Sequence, residues 1–162
     1  MAAKHLSKIP INLRVHIDTN IFHLYLRGPQ GPRKACTHLL EKVEKGEAQG
    51  YTSTLVLNEL LYKLLLKKIE ELYGKNPLKI LKRKAVQAAA GYARKGLEIV
   101  LAIENLEILP VKTEHLQAPA HIMEKYPLLP RDAIHPAVMR ENNIQDTASA
   151  DTDFDTTNNI TL

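Results

Sequence analysis

Asp18, Glu59, Asp132 and Asp151, with Asp153 close behind, are the residues of this chain whose types and placement could do chemistry. Carboxylates that converge without cations repel one another and raise one another's pKa values. A cluster of them is therefore a natural host for a hard divalent ion, Mg2+ or Mn2+. Such an ion lowers the pKa of a bound water and offsets charge on a phosphoryl oxygen; a pair about 3.5–4 Å apart can clamp an in-line displacement. Asn20 and Ser149 are polar neighbours able to hold a carboxylate or a metal-bound water by hydrogen bonding.

Each residue also has a purely structural reading. Asp18 could cap a helix. Glu59 could pair with Lys63 at the i,i+4 spacing, worth about 0.2–0.5 kcal/mol. Against that pairing, Leu55, Val56, Leu57, Leu60 and Leu61 mark a largely apolar helix, where an exposed charge is less expected. Asp132 in a first helical turn is favoured by the helix dipole alone. Asp151, Asp153 and Asp155 could shape a turn, and Asn20 and Ser149 could make ordinary turn and strand-end hydrogen bonds. The seven histidines show no metal-binding spacing, and His16 and His135 read as structural.

The elements that would gather these residues follow from the apolar pattern. Residues 14–18 read as a short buried strand ending in Asp18, and 20–26 as a helix. The run Gly28-Pro-Gln-Gly-Pro32 reads as a loop, and 33–46 as a helix with Gly46 as its stop. Residues 51–54 form a second strand, with Ser53 or Thr54 capping a helix to about Tyr73. Gly74 ends that helix and Pro77 suits the first turn of the next, over 77–105 with an interruption at Gly91. Residues 107–111 form a third strand, at an edge or end because of Pro110. Helices over 113–125 and from Pro130 to about Glu141, a fourth strand over 144–150 and a short edge strand at 160–162 complete the pattern.

Strands alternating with helices predict a mostly parallel sheet with helices on both faces. The carboxyl ends of the strands then share one edge, where open α/β sheets place their ligands. Asp18 and Asp151 end strands at that edge, Glu59 lies one to two turns into the helix after the second strand, and Asp132 opens the helix before the fourth.

The 162 residues are most simply one domain, 1–162, in which 55–106 form an extended helical lobe. With 44% hydrophobic and 25% charged residues the composition is that of a soluble globular protein. Cys36 stands alone, which excludes a disulfide framework and a thiolate zinc site and suits the cytoplasm. The N-terminus lacks the apolar core of a signal peptide, and the Leu-rich run 55–66 is too short and too polar for a membrane span.

The net charge of +4 is unevenly spread. Between Lys63 and Lys95 there are ten Lys or Arg against only Glu70 and Glu71; after Arg140 there are five acids and no Lys or Arg. That separation suits a polyanion held by a basic face while acids elsewhere collect metal ions. Two solvated helices with a Lys-rich surface would show the same pattern. Lys63, Lys67 and Arg83 are the candidate phosphate contacts on the basic helical pair. Tyr51, Tyr62, Tyr73 and Tyr92 could stack bases but are better explained by packing.

Val15-His-Ile-Asp18-Thr-Asn20, Thr54-Leu-Val-Leu-Asn-Glu59, Pro130-Arg-Asp132-Ala-Ile-His135 and Ser149-Ala-Asp151-Thr-Asp153-Phe154-Asp155 together resemble the four successive motifs of PIN-domain ribonucleases. The resemblance covers nearly the whole chain in matching order. It implies a three-layer α/β/α sandwich with a mostly parallel sheet, and Mg2+- or Mn2+-dependent endoribonuclease activity. By the same resemblance Asp18, Glu59, Asp132 and Asp151 are metal-site and catalytic acids, Asp153 is an auxiliary ligand, and Asn20 and Ser149 are polar auxiliaries. RNA is the implied substrate, an antitoxin protein the implied partner if the chain is a toxin, and a homodimer the implied assembly. Pro136 departs from the family pattern: its missing N–H would have bonded the carbonyl of Asp132, so the helix is expected to bend there.

Two other functions fit parts of the pattern. A PIN-like scaffold would bind RNA or protein without cutting. An aspartyl phosphatase of the haloacid-dehalogenase type also begins with Asp at the end of the first strand, but needs a second Asp two residues on, where this chain has Asn20.

Overall fold

The computed structural model describes residues 10–74, 76–125 and 129–150. In chain order the elements are β1 (Arg14–Ile17), α1 (Thr19–Arg27), α2 (Gln30–Glu44), β2 (Gln49–Ser53), α3 (Thr54–Tyr73), a 3-10 turn (Pro77–Ile80), α4 (Arg83–Leu101), β3 (Leu106–Leu109), α5 (Thr113–Lys125), α6 (Pro130–Glu141) and β4 (Asp146–Ala148). The four strands form one parallel sheet in the order β3-β2-β1-β4.

β1 is central, and Val15, His16 and Ile17 are all buried, as a strand covered on both faces requires. Ile17 pairs with Ala148 across β1 and β4, and the Asp18 N–H donates to the Ala148 carbonyl at 3.0 Å. The carboxyl ends of β1 and β4 therefore open side by side. This is the edge the sequence reading required.

On one face of the sheet, Val15 and Ile17 pack with Ile21 and Phe22 of α1, Leu39 and Val43 of α2, Val56, Leu60 and Leu64 of α3, and Ala93 and Val100 of α4. Each fully buried side chain of this size contributes about 1.5–3 kcal/mol relative to exposure. The other face carries a smaller cluster, Tyr51, Leu109, Val138 and Ile144, beneath α6. These are the layers of an α/β/α sandwich. The outer part of the α3–α4 pair adds its own small core, Ile69, Ala85 and Ala89.

Gly50 in β2 lets α2 lie close to the sheet. A Cβ there would stand 2.7 and 2.8 Å from the two Val43 methyl groups, and Val43 is fully buried. Gly50→Ala should therefore destabilise the protein by about 1–3 kcal/mol through overpacking, read from urea or thermal unfolding. An unchanged midpoint would show that α2 can shift outward at no cost.

Several boundaries differ from expectation. α2 begins at Gln30, so Gly31 and Pro32 are helical; first-turn N–H groups lack intrahelical acceptors, and Pro32 forfeits nothing there. The predicted helix over 77–105 divides into a 3-10 turn and α4, separated at Leu81–Lys82, while Gly91 sits uninterrupted inside α4. The division falls at Leu81, whose backbone leaves the helical region with φ −68° and ψ 74°, and no neighbour lies within 4 Å of a Cβ built on Gly91. Pro110 follows β3 rather than lying in it, and β3 is an edge strand as expected. β4 is shorter than predicted, and residues 160–162 lie outside the described residues.

Ser53 caps α3, its hydroxyl accepting from the Val56 N–H at 3.2 Å. Gly74, with φ +90°, ends it. α6 continues from Pro130 to Glu141 with Pro136 inside it, so the proline does not end the helix that carries Asp132. Among the described residues no helix is long and apolar enough to cross a membrane.

Candidate functional site

Asp18 occupies the N-cap position of α1, yet its side chain makes no capping hydrogen bond. Its Oδ2 instead accepts from the Ser149 hydroxyl at 2.8 Å, and the residue is buried. Capping thus fails to account for the carboxylate. Ser149, immediately beyond β4, reaches it because β1 and β4 end together.

Glu59 projects from the second turn of α3 toward the same edge. Its Oε2 accepts from the Thr19 hydroxyl at 2.7 Å, and its side chain is only 12% exposed. The alternative pairing with Lys63 does not form: Lys63 donates to Asn20 Oδ1 across the α1–α3 crevice. Thr19 joins the first two acids, being next to Asp18 in the chain and bonded to Glu59 in space.

Asp132 lies in the first turn of α6, its side chain 40% exposed. Arg131 connects it to Glu59, with Nε 2.9 Å from Glu59 Oε1 and 3.9 Å from Asp132 Oδ1. Asp18, Glu59 and Asp132 thus form one chain of contacts running through Thr19 and Arg131. Among the described residues, however, no three His, Cys, Asp or Glu side chains are gathered closely enough to hold a metal ion. Asp151, Asp153 and Asp155 lie outside the described residues.

Beneath Glu59 are two buried imidazoles. His135 Nε2 stands 3.7 Å from Glu59 Oε1, too far for a hydrogen bond, and its ring centroid is 5.8 Å from that of His16. Burial, and next the neighbouring His135, push His16 down from 6.5 to about 3, so it is neutral at physiological pH. His16 Nε2, His135 Nδ1 and Glu59 Oε1 are buried without hydrogen-bond partners. Burial alone would raise the Glu59 carboxyl, but His135, the Thr19 hydroxyl and Arg131 together hold it below its ordinary value. Glu59 is held as an anion.

The basic candidates occupy different places. Lys63 and Lys67 lie on α3 facing α1, where, after burial, their charges lower the pKa of His23. Lys67 also pairs with Glu70 at 2.9 Å. Arg83 opens α4 on the outer part of the lobe, exposed and flanked by Lys82 and Lys84. Thr19 and Arg131 were not singled out from the sequence, although each adjoins a candidate acid. Their partners are about 40 and 70 positions away along the chain, and no local pattern announces such a pairing.

Glu59 presents a buried oxygen without a hydrogen bond that faces a guanidinium, and a carboxylate oxygen of this kind is the donor type that a hard divalent ion prefers.

Comparison with known proteins bears on the family and the fold. A family model described as PIN domain matches residues 15–159. Ribonuclease VapC2 of Methanocaldococcus jannaschii is 28% identical over 142 residues, which are 87% of this chain and 87% of that protein. The crystal structure of Mycobacterium tuberculosis VapC20, described as a Sarcin-Ricin loop cleaving toxin, superimposes with a TM-score of 0.55. That match has 17% sequence identity and covers 91% of this chain and 98% of VapC20.

Proposed function

The chain belongs to the PIN-domain family, and on that footing we propose that it is a divalent-metal-dependent endoribonuclease. The observation that carries this reading is Asp18: a buried carboxylate at the end of the central strand, fixed by Ser149 and not used as a helix cap. The name of the Methanocaldococcus jannaschii relative, a ribonuclease, supports RNA as the substrate.

Asp18, Glu59 and Asp132 would hold Mg2+ or Mn2+ together with Asp151 and Asp153 of the following segment. The bound ion would supply Lewis-acid activation of water and neutralise charge developing on the phosphoryl oxygens. The chain's own residues supply the order. Ser149 fixes the Asp18 carboxylate, Thr19 fixes Glu59, and the buried, neutral His16 adds no charge beneath them. Asn20, on the rim beside Lys63, would orient substrate or water. Lys63, Lys67 and Arg83 would hold RNA phosphates, giving affinity without sequence choice. As a toxin, the role stated for VapC20, the protein would be restrained by an antitoxin whose segment covers the acidic edge.

The test is to incubate the protein with single-stranded and structured RNA in Mn2+, with and without a chelator. Internal cleavage that the chelator abolishes is expected. RNA that is bound but never cut, on every substrate tried, would point to a binding scaffold instead. Acid-labile phosphate on Asp18 would point to a phosphatase.

A further inference from the structure

Arg131 is the positive charge that stands among these acids. Its guanidinium Nε is 2.9 Å from Glu59 Oε1, the buried oxygen that has no hydrogen-bond partner, and 3.9 Å from Asp132 Oδ1. The two carboxylates that Arg131 joins belong to different elements, α3 and α6, so the same contact also bridges the two sides of the edge.

The exposures of the partners are unequal. The Glu59 side chain is 12% exposed and Arg131 is 57% exposed. A carboxylate that deep needs a cation, whereas a guanidinium that open is well solvated when it leaves. An ion pair with one partner so exposed is weak and screened. A divalent ion carries twice the charge and makes direct bonds to oxygen, so it can take the same oxygen. Arg131 is long enough to swing outward and remain at the mouth, where a planar fork of N–H donors suits a phosphate.

We propose that Arg131 is a resident cation gate. It neutralises Glu59 and Asp132 where it stands between them, gives way to a divalent ion, and then binds a phosphate of the RNA. This rests on the metal-dependent reading above and adds a competition within it. Arg131 is in this sense a substrate-binding and gating residue; it does not ligate the ion.

The test compares the full-length protein with Arg131→Gln and Arg131→Lys by calorimetric titration of Mn2+, and by RNA binding in Ca2+, which occupies oxygen sites. Removing a competing, largely exposed ion pair should tighten Mn2+ binding by about two- to fivefold in R131Q. RNA binding should weaken in the same variant, with R131K lying between it and the unaltered protein on both measures. A merely structural role has the opposite sign for the metal: loss of Arg131 would leave Glu59 misplaced and weaken Mn2+ binding. Equal or weaker Mn2+ binding by R131Q, when the unaltered protein binds the ion, overturns the gate alone. If R131Q does not fold, R131K decides: Mn2+ binding no tighter than that of the unaltered protein overturns the gate. If the unaltered protein binds no Mn2+, the metal-dependent reading falls and the gate falls with it.

Discussion

Asp18→Asn should reduce RNA cleavage by at least about 10²–10³-fold while leaving the fold intact. An amide has nearly the carboxylate's shape, and its oxygen can still accept from the Ser149 hydroxyl that now bonds Asp18 Oδ2. What is lost is the negative charge at the end of β1, and with it the pull on a cation. Preorganised charge aimed at a reacting centre is worth about 10²–10³ in rate, and loss of the ion itself costs more. Because Asp18 makes no capping hydrogen bond, α1 does not depend on its charge. Thermal unfolding of the variant should therefore match the parent within a few degrees. Ser149→Ala provides the graded comparison: it removes only the support of Asp18, for which a 10–100-fold loss in metal affinity or activity is expected. Full activity in Asp18→Asn would place the chemistry elsewhere.

Acid should destabilise the protein well before carboxylates protonate, and His16 is the reason. In the unfolded chain its imidazole takes a proton near pH 6.5; in the folded protein burial and His135 hold it at about 3. Glu59 pulls the other way without reversing the balance. Between those two values the unfolded state binds one more proton than the folded state. Stability then rises with pH, and falls by about 1.4 kcal/mol for each unit of acidification below 6.5. From pH 7 to pH 5 the loss should be about 2 kcal/mol, measured by urea unfolding at intermediate pH values. Glu59 acts at lower pH: its carboxyl is depressed, so the stability it contributes is present above its ordinary value of 4.5 and is lost as pH falls through the lowered one. His23 is shifted in the same direction as His16, so the decisive observation is the difference made by His16→Leu. That variant should flatten most of the slope between pH 7 and 5. An unchanged slope would mean that His16 takes up a proton inside the folded protein.

The site's reach was legible in the sequence where the local pattern is strong. Val15-His-Ile-Asp18 reads as a buried run ending in a carboxylate, and the structure puts Asp18 immediately beyond β1 at the open edge of the sheet. Ser149 reads from the sequence as a polar residue able to hold a carboxylate, and the carboxylate it holds is Asp18 because parallel pairing of β1 and β4 brings 18 and 149 together. Thr19 and Arg131 give no local signal in the sequence, because their partners are set by tertiary packing. Gly91 misled because a glycine at a solvent-facing helical position costs only about 1 kcal/mol, which α4 absorbs by packing Ala89, Ala93 and Val100. Pro136 marks a place where α6 is expected to bend, and α6 runs through it from Pro130 to Glu141. Asp151 and Asp153, read from the fourth motif, belong to residues outside those described.

The most direct measurement strips the protein with a chelator, adds an RNA of defined length, and follows internal cleavage as Mn2+ is restored. Cleavage should be absent at first, return saturably with the ion, and fail to return in Asp18→Asn. Equal cleavage by the stripped protein, or full recovery in Asp18→Asn, would contradict a metal site built on this carboxylate.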